Sequence, residues 1–135
     1  MAISETLRIT SDLERIGEAR RWALGHARSE GVADGDAWAV ELALGEALAN
    51  VIRHAYEGRA GLEIEVCLTI DRGRLEVEIR DTARPFARDS VTPVSLEVPR
   101  TGGYGLQIIE EVMDVVEYSG DESGGRLRMV KLRNA

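Results

Sequence analysis

Cysteine, proline and aromatic residues are scarce in this 135-residue sequence. The single cysteine, Cys67, excludes an internal disulfide framework and a cysteine-rich zinc site. Charged residues recur every few positions, so no apolar run is long enough to cross a bilayer. The N-terminus also lacks the pattern of a signal peptide. We therefore expect a cytoplasmic protein with no membrane partner.

Basic residues are outnumbered by acidic ones, 17 to 24, which gives a net charge of -7. This balance disfavours sequence-independent nucleic-acid binding, and we expect no nucleic-acid partner. Net charge does not exclude an anion held by backbone N–H groups. The length and the 44% hydrophobic content fit a single globular domain spanning residues 1–135.

Hydrophobic periodicity predicts the order strand, helix, helix, hairpin, long loop, helix, hairpin. A capping box from Ser11 to Glu14 should begin the first helix, with Leu13 on its buried side. The second helix should run from about Asp36 to Tyr56. Strands joined by tight turns predict a mixed, mostly antiparallel sheet with three helices on one face. The expected fold class is therefore an α+β two-layer sandwich.

Four polar side chains share a narrow arc of the second helix: Glu46, Asn50, Arg53 and His54. A solvated helix face is one interpretation of this arc. The other interpretation is functional, because a carboxylate one turn from an amide oxygen can hold hydrated Mg2+ and position a nucleophile. Asn is a weak helix former, which favours a specific role for Asn50.

Asp81 continues the apolar register of a strand that contains Leu75, Val77 and Ile79. If the strand continues, its two-residue period sends Asp81 to the buried face. An ionised carboxylate there needs donors, such as the exocyclic amine of a purine. If the strand has already ended, Asp81 is simply a turn residue. Periodicity alone leaves both interpretations open.

Three glycines, Gly102, Gly103 and Gly105, come directly before the third helix. Glycines let backbone N–H groups face a phosphate, and a helix N-terminus favours negative charge. The preceding segment, residues 82–101, contains all three prolines and is predicted to be a loop that closes over a ligand and is poorly ordered without that ligand. Together with the helix face and Asp81, these features indicate a nucleotide site, although the Walker pattern is absent.

Three segments then resemble the boxes of the GHKL (Bergerat-fold) ATPases, in the version found in bacterial anti-sigma-factor serine kinases. ELALGEALANVIRHAY, from Glu41 to Tyr56, resembles the N box. DTARPF, from Asp81, resembles the first glycine box, and GGYGLQII, from Gly102, resembles the second. The resemblance extends over essentially the whole chain, in order. It implies a histidine-kinase-like ATPase fold that binds ATP and Mg2+.

The resemblance also implies roles for individual residues. Glu46 would be the general base that accepts the proton of a protein serine. Asn50 would bind Mg2+, with Arg53 and His54 near the phosphates. Asp81 would accept a hydrogen bond from the adenine amine.

The remaining nucleotide contacts implied by the resemblance come from the two glycine boxes. Gly103 and Gly105, with the N–H groups that follow, would hold the phosphate tail, and Gly102 and Leu106 would also bind ATP. Ala83 stands where the family usually has glycine. An alanine fits there if its φ is negative and its methyl group has room beside the purine.

The implied activity is that of an anti-sigma factor with serine-protein kinase activity. Such a protein works by partner switching, a form of transcription regulation. Its partners would be a sigma factor and an anti-anti-sigma antagonist whose serine is phosphorylated, and homodimers are usual in the family. The alternatives are a module that sequesters its partner without catalysis and a scaffold-associated switch kinase. A histidine kinase would also need a helical hairpin bearing a phosphoacceptor histidine, which surrounds neither His26 nor His54.

Overall fold

Five strands form one sheet with the order β1-β2-β3-β5-β4 in a computed structural model that describes residues 2–83 and 104–133. Every neighbouring pair is antiparallel, so the described sheet contains none of the parallel pairing that a mixed sheet allows. The strands are β1 (Ile3–Thr10), β2 (Glu63–Ile70), β3 (Arg74–Asp81), β4 (Val115–Asp121) and β5 (Gly124–Leu132). Most of the expected loop, together with Gly102 and Gly103, lies outside the described residues.

Three helices pack on one face of this sheet: α1 (Glu14–Ser29), α2 (Asp34–Asn50) and α3 (Tyr104–Val112). The α+β two-layer prediction is therefore confirmed. Alternating residues of the central strands point into the core, as the period-two pattern predicts. They are Ile64, Val66, Leu68 and Ile70 on β2 and Leu75, Val77 and Ile79 on β3.

The opposite face of the sheet is polar and carries cross-strand ion pairs. Glu78 is the most buried of its charged residues, with 7% of its surface exposed. It accepts from Arg126 at 2.7 Å and from Arg80 at 2.5 Å. Burial alone would raise the pKa of the Glu78 carboxyl, but the hydrogen bonds from Arg126 and Arg80 lower it below its ordinary value.

The predicted capping of α1 is wrong, although the helix begins at Glu14, the last residue of the expected capping box. Ser11 does not cap the helix, because its hydroxyl donates to the carbonyl of Arg59 at 2.7 Å and accepts from the N–H of Leu62 at 2.9 Å. Ser11 thereby joins the end of β1 to the segment before β2. Leu13 consequently lies on the surface, with 63% of its area exposed, instead of on the buried side of α1.

The helix expected from Asp36 to Tyr56 is present but changes type near its end. After Asn50 the backbone continues as a π-helical turn, Val51–Ala55, which the N–H of Tyr56 closes by donating to the carbonyl of Val51. Such turns are rare and occur frequently at functional sites. The wider turn alters the direction in which the residues after Asn50 project from the helix.

Candidate nucleotide site

Asp81 is the last residue of β3, and only 7% of its surface is exposed. It pairs with Ile64 of β2, so the strand extends through Asp81, as the functional interpretation required. Oδ1 of its carboxylate accepts two backbone hydrogen bonds, from Ala83 at 2.9 Å and from Gly125 at 3.1 Å. These donors hold the carboxylate in a fixed orientation at the sheet end.

Two glycines of β5 make this burial possible. Gly124 has a φ of 140°, and a Cβ there would lie 1.8 Å from the carbonyl oxygen of Asp81. A Cβ on Gly125 would lie 2.8 Å from both Oδ2 of Asp81 and the hydroxyl of Tyr118. Local sequence patterns do not indicate these contacts, because the approach of β3 to β5 depends on long-range strand pairing.

Tyr56 connects the end of the second helix to the residue that follows Asp81. Its side chain is buried, and its hydroxyl accepts from the N–H of Thr82 at 2.8 Å. The same hydroxyl lies 3.1 Å from Oγ1 of Thr82 and donates to the carbonyl of Glu63. Tyr56 has no role that its sequence context predicts, because no local pattern indicates a hydrogen bond to a residue 26 positions away.

The polar arc of the second helix lies partly within the fold. Glu46 and Asn50 are half-buried, whereas Arg53 and His54 are exposed on the π-helical turn. Nδ2 of Asn50 is buried and has no hydrogen-bond partner within residues 2–83 and 104–133. A buried amide without a partner is costly, so this amide suits a ligand.

The second glycine box is only partly described. Gly105 lies in the first turn of α3, and Leu106 is half-buried against the core. Because α3 packs beside α2, these two residues belong to the same layer as Glu46 and Asn50. Ala83 is half-buried and does not have a positive φ, so the backbone condition for alanine at this position is met.

A groove of about 660 Å³ also opens at this end of the sheet, and most of its lining side chains belong to the polar face. Its lining includes Glu63, Glu65, Arg80 and Arg126 but no large apolar side chain. The helix side of Asp81 is more apolar, because Leu106 and Tyr118 pack there against the core. It is therefore the side that offers the apolar surface a purine needs on its faces.

The site fits a metal bound mainly through phosphate. No group of three or more His, Cys, Asp or Glu side chains suited to a metal occurs in the described part of the chain. Mg2+ usually takes one or two protein ligands and completes its coordination shell with phosphate oxygens and water. The amide of a single asparagine could supply the protein ligand.

None of the described helices is both long and apolar enough to span a membrane.

Comparison with known proteins gives a consistent assignment. A family model described as "Histidine kinase-like ATPase domain" matches residues 9–131. The serine-protein kinase RsbW of Listeria monocytogenes serovar 1/2a is 33% identical over 91 residues, which cover 62% of this chain and 58% of the relative. RsbW of Bacillus cereus strain AH187 is 28% identical over 124 residues, covering 86% of this chain and 77% of the relative.

Solved structures support the same fold. A Mycobacterium tuberculosis protein with RsbU and RsbW domains matches 97% of this chain and 33% of its own length, with a TM-score of 0.66 and 13% identity. The histidine kinase domain of an Erythrobacter litoralis blue-light activated kinase matches 88% of this chain and 59% of its own, with a TM-score of 0.54 and 17% identity. The match to the Listeria relatives spans under two thirds of their length.

Proposed function

Because this chain belongs to the histidine kinase-like ATPase domain family, which confirms the resemblance found in its sequence, we propose that it is an ATP-dependent protein serine kinase and anti-sigma factor. The observation that carries the proposal is the buried Asp81 carboxylate, held by the N–H groups of Ala83 and Gly125. A carboxylate fixed in this way accepts from an exocyclic amine without first reorganising. The similarity to RsbW serine-protein kinases supports the protein substrate.

ATP would lie between the sheet end and the second helix. The adenine amine would donate to Asp81, with Ala83 and Leu106 beside the base. The phosphates would extend toward Asn50, Arg53 and His54 and toward the N-terminal turn of α3, where Gly105 lies. Gly102 and Gly103, which lie outside the described residues, would complete this phosphate site.

Asn50 would hold Mg2+ through its amide oxygen, because Mg2+ is bound by oxygen ligands. Its buried Nδ2, which has no partner among the described residues, would donate to a phosphate oxygen. When bound, Mg2+ supplies positive charge that offsets the negative charge on the phosphate oxygens.

Glu46 would act as general base, one helical turn from Asn50. Its carboxylate accepts the hydroxyl proton of the substrate serine as that oxygen forms a bond to the γ-phosphorus. The bond from the γ-phosphorus to the β,γ-bridging oxygen breaks, and ADP leaves. The serine oxygen carries the phosphoryl group, and Glu46 holds the proton until it passes to water.

We further propose the partners that this activity requires. The substrate would be an anti-anti-sigma antagonist, and the sequestered partner a sigma factor, in a cytoplasmic partner-switching system. The active form would be a homodimer. The second candidate is a module that sequesters its partner without transferring phosphate, and the alanine at position 83 in the first glycine box is the feature that favours it.

Transfer of labelled phosphate from γ-labelled ATP to a serine of a candidate anti-anti-sigma antagonist protein tests the proposal. The Glu46→Ala variant should lose transfer and keep ATP binding. Glu41→Ala is the matched control, because Glu41 lies on the same helix but pairs with Arg20, at 3.5 Å. If the wild-type protein binds the antagonist and ATP but transfers no phosphate, the kinase proposal is wrong and the sequestering module stands.

A further inference from the structure

The hydroxyl of Tyr56 lies between β2 and β3, where the next pair of residues would otherwise form backbone hydrogen bonds. The register pairs Ile64 with Asp81, so the next pair would be Glu63 and Thr82. No backbone hydrogen bond joins Glu63 directly to Thr82. The Tyr56 hydroxyl accepts from the N–H of Thr82 at 2.8 Å and donates to the carbonyl of Glu63. The two strands therefore separate immediately after Asp81, and the Tyr56 hydroxyl lies between them.

The position of Asp81 depends on this separation. Its carbonyl belongs to the same planar peptide group as the Thr82 N–H that Tyr56 holds, and its Oδ1 accepts from the N–H of Ala83, two residues later. A shift of Thr82 toward β2 would move that donor. Because Asp81 also lies against Gly124 and Gly125 without spare room, a small backbone shift changes the direction of its carboxylate.

We propose that Tyr56 is a positioning residue for base recognition, whose hydroxyl fixes Thr82 so that the Asp81 carboxylate meets the exocyclic amine of the purine. The inference rests on the proposed function and adds a determinant of base specificity to it. Tyr56 itself does not touch the nucleotide. The N–H of Tyr56 closes the π-helical turn that contains Arg53 and His54. Tyr56 therefore also connects this turn to the end of the sheet where Asp81 lies.

The test compares the affinities of ATP and inosine triphosphate, with Mg2+, for the wild-type protein and Tyr56→Phe. The two nucleotides share the triphosphate, but inosine has an oxygen in place of the exocyclic amine. We expect Tyr56→Phe to weaken ATP binding about fivefold, the equivalent of one hydrogen bond, and to leave inosine triphosphate binding within about twofold. The preference for ATP, which is the ratio of the two affinities, should therefore fall.

Ile70→Val is the matched control, because Ile70 is a buried residue at the opposite end of β2 and its loss of a methyl group destabilises the fold without touching Asp81. Its preference for ATP should equal that of the wild-type protein. If Tyr56→Phe weakens both nucleotides equally, or neither, Tyr56 has only a structural role and the inference is wrong.

A second measurement covers the case in which Tyr56→Phe does not fold. In the wild-type protein the amide hydrogen of Thr82 should be protected from exchange with solvent, because it is donated to the Tyr56 hydroxyl. Exchange of the Thr82 amide as fast as that of an exposed amide would overturn the inference. A wild-type protein that binds both nucleotides equally would instead refute the adenine site of the proposed function, and this inference with it.

Discussion

The backbone N–H of Gly125 lies 3.1 Å from Oδ1 of Asp81 and joins β5 to the end of β3. The contact is close because Gly125 has no side chain, and the hydroxyl of Tyr118 lies against the same backbone position. The carboxylate that we propose recognises the base is therefore oriented by a main-chain group of a strand that is 44 residues away in sequence. The proposed nucleotide site consequently depends on two glycines that lie outside the sequence boxes that resemble the family.

Gly125→Ala should weaken ATP binding about tenfold or more. The added methyl group would lie 2.8 Å from Oδ2 of Asp81, so the carboxylate must turn away from its position toward the purine. Titration calorimetry with Mg2+ and ATP measures the effect. Gly35→Ala is the control, because nothing lies within 4 Å of its added methyl group and it should bind ATP normally. Normal ATP binding by Gly125→Ala would contradict the assignment of Asp81.

Asn50→Ala should separate stability from ligand binding. In the described part of the chain, Nδ2 of Asn50 is buried without a partner, so its removal relieves a cost and should leave the free energy of unfolding of the free protein unchanged or raise it by about 1 kcal/mol. Binding of ATP with Mg2+ should weaken about tenfold or more. Urea unfolding and calorimetry check the two effects, and a large loss of stability with unchanged ATP binding would show that Asn50 is structural.

Glu78→Gln should destabilise the protein by about 1 kcal/mol at pH 7, because Arg80 and Arg126 lose a charged partner. Hydrogen bonds from these arginines lower the pKa of Glu78 in the folded state despite its burial. The stabilisation is therefore present above the ordinary glutamate pKa and is lost as the pH falls through the lower, folded-state pKa. The difference in unfolding free energy between wild type and variant should shrink in acid.

A control for that effect lies on the same face of the sheet. Glu117 pairs with Arg128 at 2.6 Å, but 63% of its side chain is exposed. Glu117→Gln should change stability much less, because solvent screens exposed ion pairs. If urea unfolding gives the same loss for Glu78→Gln at pH 7 and at pH 3, the folded-state ionisation of Glu78 contributes nothing.

The sequence predicted those elements whose patterns are local. Alternation placed Ile64 and Val77 in the core and, by extension, aimed Asp81 inward. It could not place Leu13, because the hydroxyl of Ser11 bonds to a carbonyl 48 residues away instead of capping α1. Nor could helical periodicity predict the π-helical turn after Asn50, which is closed by the N–H of Tyr56.

In the candidate site, the sequence could identify only those residues whose type is unusual for their position. Asp81 and Asn50 are polar residues at positions where their patterns favour apolar or helix-forming ones, and both could be selected on that basis. Tyr56 and Gly125 have ordinary local explanations, a helix end and a turn. Their roles arise from strand pairing, which brings Thr82 to the tyrosine and Asp81 to the glycine.

Titration of the full chain with ATP and Mg2+ in a calorimeter tests the central claim most directly, with Asp81→Asn measured beside the wild-type protein. We predict binding to one site per chain by the wild-type protein and affinity about tenfold or more lower for Asp81→Asn, because the amide presents a donor in place of the acceptor that the adenine amine needs. Absence of binding by the wild-type protein, or equal affinity in the variant, would contradict an adenine site built around Asp81.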